Sequence, residues 1–363
     1  MWNYYNPVDV HAGCGSLETL PRLLGERRAI LITFPEAAGL GLVERVRALL
    51  GERLAAVETG VPPNPDVAWL APMYERLWRD HSGVDCVIAL GGGSVIDCAK
   101  VMLTQAITGE FRELLGLLEG AQPGAAAFAR HRRLIAIPTT AGTGSEVTPW
   151  ATVWDQARAR KLSLHLPWTW PEAAIVDAEL MVSLPHAVTL ASGLDALSHA
   201  LESLWNRHRN PVSASLAVSA ARSIIATLPQ LLAEPSRPDL RERLATAALQ
   251  AGLAFSNTRT ALAHSLSYDI TLSQGTPHGI ACSFSLPRIM RLAAGRDPLL
   301  DSLLMSVFDV THIDDAAVAL SGFLEGLGVS LDPMNYGIAE ADWSARVQQA
   351  LAGARGRNFI AAA

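Results

Sequence analysis

The pattern of apolar and polar positions changes character near residue 182. Before that point, short apolar runs of strand length alternate with segments of helical period. Residues 28–34 (RAILITF), 54–58 (LAAVE), 84–90 (VDCVIAL) and 134–138 (LIAIP) read as strands. Residues 40–50 and 67–81 read as amphipathic helices, with Pro62, Pro63 and Pro65 breaking the chain ahead of the second. Strands alternating with helices predict an α/β domain with a mostly parallel sheet. After about Pro185 the chain turns to long alanine- and leucine-rich helical stretches, at 188–204, 212–232, 240–256 and 316–327. The expected organisation is an α/β nucleotide-binding domain over 1–182 and an all-helical domain over 183–363.

Length supports two domains, because 363 residues exceed what one ordinary core organises. Half of the residues are apolar, so a substantial buried core is expected. No uninterrupted apolar run reaches the length of a membrane span, and Met1-Trp2-Asn3-Tyr4-Tyr5 is not a basic segment followed by an apolar one. Neither a membrane segment nor a signal peptide is expected. Cys14, Cys86, Cys98 and Cys282 are scattered without CxxC spacing, which suits reduced thiols and a cytoplasmic setting. The net charge of −6, with no long basic stripe, argues against nucleic acid as a partner.

Two loops follow predicted strands and are rich in small residues. Residues 91–100 (GGGSVIDCAK) place glycines between a strand and a helix, where the backbone can approach a phosphate and the helix start offers free N–H groups. Residues 138–148 (PTTAGTGSEVT) offer hydroxyls suited to a ribose, a phosphate or an amide. Each alone also reads as an ordinary tight turn. Together, at the carboxyl ends of parallel strands, they favour a nucleotide site. A third stretch, 193–202 (GLDALSHALE), puts Asp195 and His199 one helical turn apart on a shared face. With His264 and His278 they would complete a divalent-metal site.

These stretches resemble the iron-containing (group III) alcohol dehydrogenases. Residues 91–100, 138–148, 177–185 (DAELMVSLP), 193–202 and 277–279 (PHG) match that family's motifs in order and spacing, over roughly residues 1 to 290. The resemblance implies hydride transfer with NAD or NADP on the N-terminal sheet and a metal in the helical domain, facing it across a cleft. Asp195, His199, His264 and His278 would be the ligands, of iron(II) by family default, with zinc compatible. Gly92, Gly93, Ser94, Asp97, Thr139, Thr140, Ser145 and Lys161 match positions lining the dinucleotide. A homodimer or larger homo-oligomer is also implied. Two positions depart from the pattern. Tyr268 stands where the family usually has a second histidine four residues after the third ligand, and is assigned to the catalytic group as a hydrogen-bonding hydroxyl. Phe34, with Glu36 nearby, stands where NAD-using members carry an aspartate, which leaves the choice between NAD and NADP open.

Residues 257–268 (NTRTALAHSLSY) and the opening YYNPV at 4–8 resemble the phosphonate-metabolism branch, which includes phosphonoacetaldehyde reductases. Arg259, five residues before His264, suits an anionic substrate by bidentate hydrogen bonding, and Arg207 and Arg209 would add positive potential. The expected reaction is reduction of a small anionic aldehyde such as phosphonoacetaldehyde to 2-hydroxyethylphosphonate. Maleylacetate reduction and general short-chain alcohol oxidation are the alternatives. More remote are a dehydroquinate synthase-like lyase and a non-catalytic nucleotide-binding protein. Trp150, Trp154, Trp168 and Trp170 read as packing, and Cys98 as a buried filler.

Overall fold

The computed structural model describes residues 1–119, 128–158 and 160–362. Among these described residues ten strands run in chain order: β1 (Asp9–Ala12), β2 (Ala29–Thr33), β3 (Leu54–Glu58), β4 (Cys86–Gly91), β5 (Thr104–Ala106), β6 (Phe128–His131), β7 (Arg133–Pro138), β8 (Trp150–Asp155), β9 (Arg160–His165) and β10 (Ala173–Val176). Five helices accompany them: α1 (Leu20–Leu24), α2 (Leu42–Leu50), α3 (Val67–Asp80), α4 (Gly93–Val101) and α5 (Phe111–Leu118). Nine more follow: α6 (His186–Leu204), α7 (Pro211–Ala233), α8 (Pro238–Thr258), α9 (Leu262–Gln274), α10 (His278–Ser283), α11 (Leu286–Ala293), α12 (Pro298–Phe308), α13 (Ile313–Gly326) and α14 (Glu340–Ala352).

Six strands form one parallel sheet in the order β1-β10-β7-β4-β2-β3. Its central strands are apolar throughout because both faces are covered. Ile30, Ile32, Val87, Ala89, Leu134 and Ala136 pack with Leu70, Tyr74 and Leu77 of α3 and Ile96 and Ala99 of α4. Their neighbours Ala29, Leu31, Cys86, Ile88, Leu90, Ile135 and Ile137 pack on the opposite face with α1 and α2, through Leu20, Leu24, Val43 and Val46. The side-chain period of two thus sends alternate residues of one apolar run to two different cores. The chain turns from the β3 edge back across β2 to β4, so the loops after β2 and β4 flank the switch in strand order, the usual place for a ligand in such sheets.

The expected strands and helices of this region are present. Sequence reading missed β1, β10 and the two antiparallel pairs β5–β6 and β8–β9. These strands are three to six residues long; β1, β5 and β9 mix in polar residues, as in DVHA and RKLSLH, and β10 (AAIV) is apolar but only four residues long, so no long apolar run announced them. Pairing partners far along the chain make them strands.

The chain divides into two compact units: Pro7–Thr140 with Ser145–Met181, and Val182–Ala363 with Met1–Asn6 and Ala141–Gly144. The main division falls at Met181–Val182, beside the expected 182–183, and two short segments, 1–6 and 141–144, group with the helical unit. The opening residues join it through Tyr4 Oη, which donates to the Leu253 carbonyl at 3.2 Å, and through Asn257, whose Oδ1 accepts from the Tyr5 amide at 2.8 Å. The loop joins it through close backbone packing on α8, where Gly144 has φ +60° and a Cβ at that position would stand 2.7 Å from the Gly252 Cα. In the helical unit, α6, α7 and α8 pack together. By length and composition α7 could cross a membrane. Here Ala217, Ala220, Ala221, Ile224, Leu228 and Leu231 are buried in the bundle, so its apolar face serves as core.

Gly144→Ala adds a side chain where both the positive φ and the Gly252 contact oppose it. It is expected to destabilise the helical unit by about 1–3 kcal/mol, read as a lowered midpoint in thermal unfolding followed by circular dichroism.

Candidate metal centre and nucleotide loops

Asp195, His199 and Glu202 lie on one face of α6, at intervals of four and three residues, and all three are buried. His264 enters from the first turn of α9 and His278 begins α10. Three imidazoles approach the same carboxylate oxygen. From Asp195 Oδ1, the Nε2 atoms of His264, His199 and His278 lie at 3.4, 4.0 and 4.0 Å. Asp195 Oδ1 and His264 Nε2 are fully buried and have no hydrogen-bond partner. Buried polar atoms left unpaired are costly. Two of them facing each other, with two further imidazoles at these distances, fit a bound divalent cation, for which one carboxylate and three imidazoles are suitable donors.

The electrostatics of Asp195 and His199 agree with that use. Burial alone would raise the Asp195 carboxyl, but the His199, His278 and His264 rings reverse this and hold it well below the usual range. Burial pushes His199 down to about 4, which keeps the ring neutral and its lone pair available. His199 is sandwiched between Phe255 and His264, with ring centroids 4.1 and 4.5 Å away.

Glu202, which sequence reading overlooked, sets the orientation of His264. Its Oε2 lies 2.7 Å from His264 Nδ1, and the same carboxylate accepts from the amides of Ala261 and Ala263 at 2.9 and 2.5 Å. It thereby caps α9, whose N-cap Ala261 has no side chain able to do so. With the Nδ1 proton held by Glu202, Nε2 is turned toward Asp195; despite burial, the neighbouring carboxylates raise His264 well above its usual value, so a cation binding there would displace the Nε2 proton. The signal was present in the sequence as the seven-residue interval from Asp195. A second determinant is Gly279. A Cβ there would stand 1.8 Å from the Ala191 carbonyl oxygen of α6, so only glycine lets α10 approach closely enough to deliver His278.

Around this cluster, Tyr268 lies parallel to the His278 ring with centroids 6.3 Å apart, and burial raises its hydroxyl above the usual value, so it stays protonated. The Arg355 guanidinium lies 4.7 Å over the Tyr268 ring. Arg259 is placed elsewhere. It sits at the C-terminal end of α8 with φ +66° and an exposed side chain, and no ion pair of it is found among the described residues. Arg207 is exposed, while Arg209 pairs with Asp297 and donates to the Leu204 carbonyl, which is a structural tie.

In the α/β unit the two small-residue loops meet. Gly92 precedes α4, and a Cβ on it would come within 3.3 Å of Thr140. The Thr139 amide donates to the Gly91 carbonyl at 3.1 Å. Ser94 Oγ accepts from the Asn64 amide at 3.0 Å. Asp97 and Ser145, expected to line the cofactor, bind one another: Ser145 Oγ donates to Asp97 Oδ1 at 2.6 Å, and Asp97 Oδ2 accepts from the Thr152 amide at 2.8 Å. Lys100 completes this network and went unnoticed in the sequence, although it lies one turn after Asp97. Its Nζ donates to the Ser145 carbonyl, Ser145 Oγ and the Trp150 carbonyl at 2.7, 2.8 and 2.8 Å, which satisfies all three protons. Burial lowers it to about 8. Lys161 lies on β9 with its Nζ 5.3 Å from the Trp154 ring. Of the tryptophans, Trp154 is buried and Trp168 donates to Thr104 Oγ1 while stacking on His131, which is packing as expected. Cys98 is fully buried.

Two measurements follow from these contacts. Glu202→Gln places an amide NH2 or a weaker acceptor against the α9 amides and His264. Zinc affinity is expected to fall roughly 10- to 100-fold, read by chelator competition. Glu146, buried beside Lys100, has its carboxyl raised from 4.5 to about 7 by burial. The folded state then holds a proton that the unfolded chain has released, so this group costs stability as pH rises from 4.5 to 7. Glu146→Gln should flatten the dependence of unfolding midpoint on pH across that window. An unchanged slope would assign the pH effect to other groups.

Comparison with known proteins places this geometry in context. Residues 7–178 match the model described as iron-containing alcohol dehydrogenase, and residues 189–362 that of the C-terminal region of the Fe-containing alcohol dehydrogenase family. The NAD-dependent methanol dehydrogenase of Bacillus methanolicus is 30% identical over 356 residues, 94% of this chain and 91% of that protein. The phosphonoacetaldehyde reductase of Streptomyces viridochromogenes is 37% identical over 210 residues, 57% of this chain and 53% of that protein. Among solved structures, sulfoacetaldehyde reductase from Bifidobacterium kashiwanohense in complex with NAD+ superposes with TM-score 0.86 at 27% identity, covering 99% of this chain and 94% of that one. The chain belongs to the iron-containing alcohol dehydrogenase family, whose members are NAD-linked, metal-containing oxidoreductases acting on alcohols and aldehydes.

Proposed function

We propose that the protein reduces a small anionic aldehyde, such as phosphonoacetaldehyde, to the corresponding alcohol, with Asp195, His199, His264 and His278 as the metal ligands. The observation that carries this reading is the convergence of three imidazoles on the unpaired Asp195 Oδ1. When bound, a divalent ion supplies Lewis acidity toward the substrate oxygen, and the nicotinamide supplies the hydride. His278 has a side-chain exposure of 31% against 6% or less for the other three, so the substrate approaches on its side. Tyr268, parallel to that ring and protonated at neutral pH, donates a hydrogen bond to the developing alkoxide. Glu202 holds His264 in the ligating tautomer throughout.

The anionic substrate class is supported by two similarities, to a phosphonoacetaldehyde reductase and a sulfoacetaldehyde reductase. It is also supported by Arg355, whose guanidinium over Tyr268 offers a partner for a phosphonate or sulfonate. Arg259, assigned that role from sequence, keeps it as the rival position. In the α/β unit, Gly92, Gly93, Ser94, Thr139, Thr140 and Lys161 are assigned to the dinucleotide, with Asp97 and Ser145 supporting the loop that presents it. The residue after β2 is Phe34 rather than a carboxylate, so nothing at that position repels a 2′-phosphate, and NADPH is accepted beside NADH.

Metal-reconstituted protein should oxidise NADH or NADPH rapidly with phosphonoacetaldehyde or sulfoacetaldehyde, and slowly with propanal or maleylacetate. Asp195→Ala should abolish turnover. Arg355→Ala should raise KM for the anionic aldehydes by roughly tenfold or more, the loss of one charge-assisted hydrogen bond, with little change for propanal. A KM effect confined to Arg259→Ala would return the anion site to α8. Turnover only with propanal would discard the anionic class, and turnover only with maleylacetate would make the protein a maleylacetate reductase.

A further inference from the structure

Cys282 was read from the sequence as one of four scattered thiols. The structure puts it one turn after His278 on α10, fully buried, with Sγ 3.7 Å from His278 Nε2. Ligand atoms of Asp195, His264, His278 and Cys282 all lie within 4.8 Å of one another. Two of these atoms, Asp195 Oδ1 and His264 Nε2, are the buried unpaired ones. Metal–ligand bonds of about 2.0–2.3 Å meeting at a tetrahedral angle span roughly 3.5 Å between donor atoms. Two edges, 3.4 Å from Asp195 Oδ1 to His264 Nε2 and 3.7 Å from Cys282 Sγ to His278 Nε2, are of that size, and the edge from Asp195 Oδ1 to His278 Nε2 is somewhat longer at 4.0 Å.

We propose that Cys282 supplies a thiolate ligand to the ion held by Asp195, His264 and His278, which rests on the reading of those residues as a metal centre. On binding, the thiol proton is released to solvent and the sulfur lone pair is donated to the ion, with no change of oxidation state. The donor set of the ion would then combine a carboxylate, imidazoles and one thiolate. A soft sulfur donor shifts the preference of the site toward zinc and cobalt relative to an all-nitrogen-and-oxygen set. His278 and Cys282 act together because both ride on α10, and Gly279 between them seats that helix on α6.

The test is the absorption spectrum of the full-length protein reconstituted with cobalt(II). Wild type is expected to show visible ligand-field bands together with near-ultraviolet thiolate-to-cobalt charge transfer. Cys282→Ser should keep the first and lose the second, and should bind zinc at least tenfold more weakly in chelator competition. Ligand-field bands without charge transfer in wild type would overturn the proposal while leaving the metal centre intact. Charge transfer that survives Cys282→Ser would overturn it by assigning the sulfur to another cysteine. If wild type binds no cobalt and matches Asp195→Ala, the metal-centre reading fails and takes this proposal with it. Should Cys282→Ser fold poorly, Cys282→Ala serves as the second variant with the same expected loss of charge transfer, and Cys14→Ser should keep it.

Discussion

A carboxylate removed from water must find positive charge or hydrogen-bond donors, and much of the helical unit is arranged around that requirement at Asp195. The residue lies mid-way along α6, where no backbone amide is free to serve it. Its Oδ1 faces three imidazole nitrogens, of which His199 is held neutral by burial. Despite burial, Glu202 and Asp195 raise His264 well above its usual value, so without a cation a proton on His264 faces the Asp195 carboxylate, and a divalent ion would take the place of that proton. With one, every donor is satisfied. The packing of α9 and α10 on α6 therefore makes energetic sense as the construction of a cation site.

The supporting contacts show how the site is held without enlarging it. Glu202 is an acceptor for two backbone amides and for His264, so one buried carboxylate both starts a helix and fixes a tautomer. Gly279 contributes by lacking a side chain, because the α6 backbone occupies the space that a Cβ would need. Phe255 closes the other face of His199 and fixes its plane. These residues touch the ligands rather than the ion, and their geometry is what keeps the donor atoms within a few ångströms of each other.

The α/β unit solves a comparable problem with opposite charge. Lys100 is wholly buried, and it is tolerated because three oxygens take its three protons while Asp97 lies nearby. The network ties the middle and end of α4 to the loop around Ser145 and to β8. It gives the small-residue loops a fixed shape, so that their amides and hydroxyls are set before any ligand arrives. Glycine loops offer little rigidity of their own, and a buried charged network beneath them supplies it.

How much of this was legible in the sequence follows from the range of the interactions. Apolar runs such as 84–90 and 134–138 announced the central strands, because burial on both faces depends only on composition and length. The interval between Asp195 and His199 announced a shared helical face, because 3.6 residues per turn is a local property. Ordered motifs announced the family and, with it, His264 and His278. Partners brought in from afar were not legible. β1 and β10 are strands because each lies beside another, and Glu202 matters only because α9 starts against it. Arg259 kept its promising distance of five residues from a ligand, yet the turn of the chain at φ +66° leaves it exposed, while Arg355, nearly a hundred residues further on, lies over Tyr268. Cys282 joined the donor atoms only when α10 packed on α6. Sequence by itself determined the elements and the chemistry they carry, since propensity and periodicity act between near neighbours. Which side chains share a site was decided by tertiary packing, since that depends on where separate helices are allowed to touch.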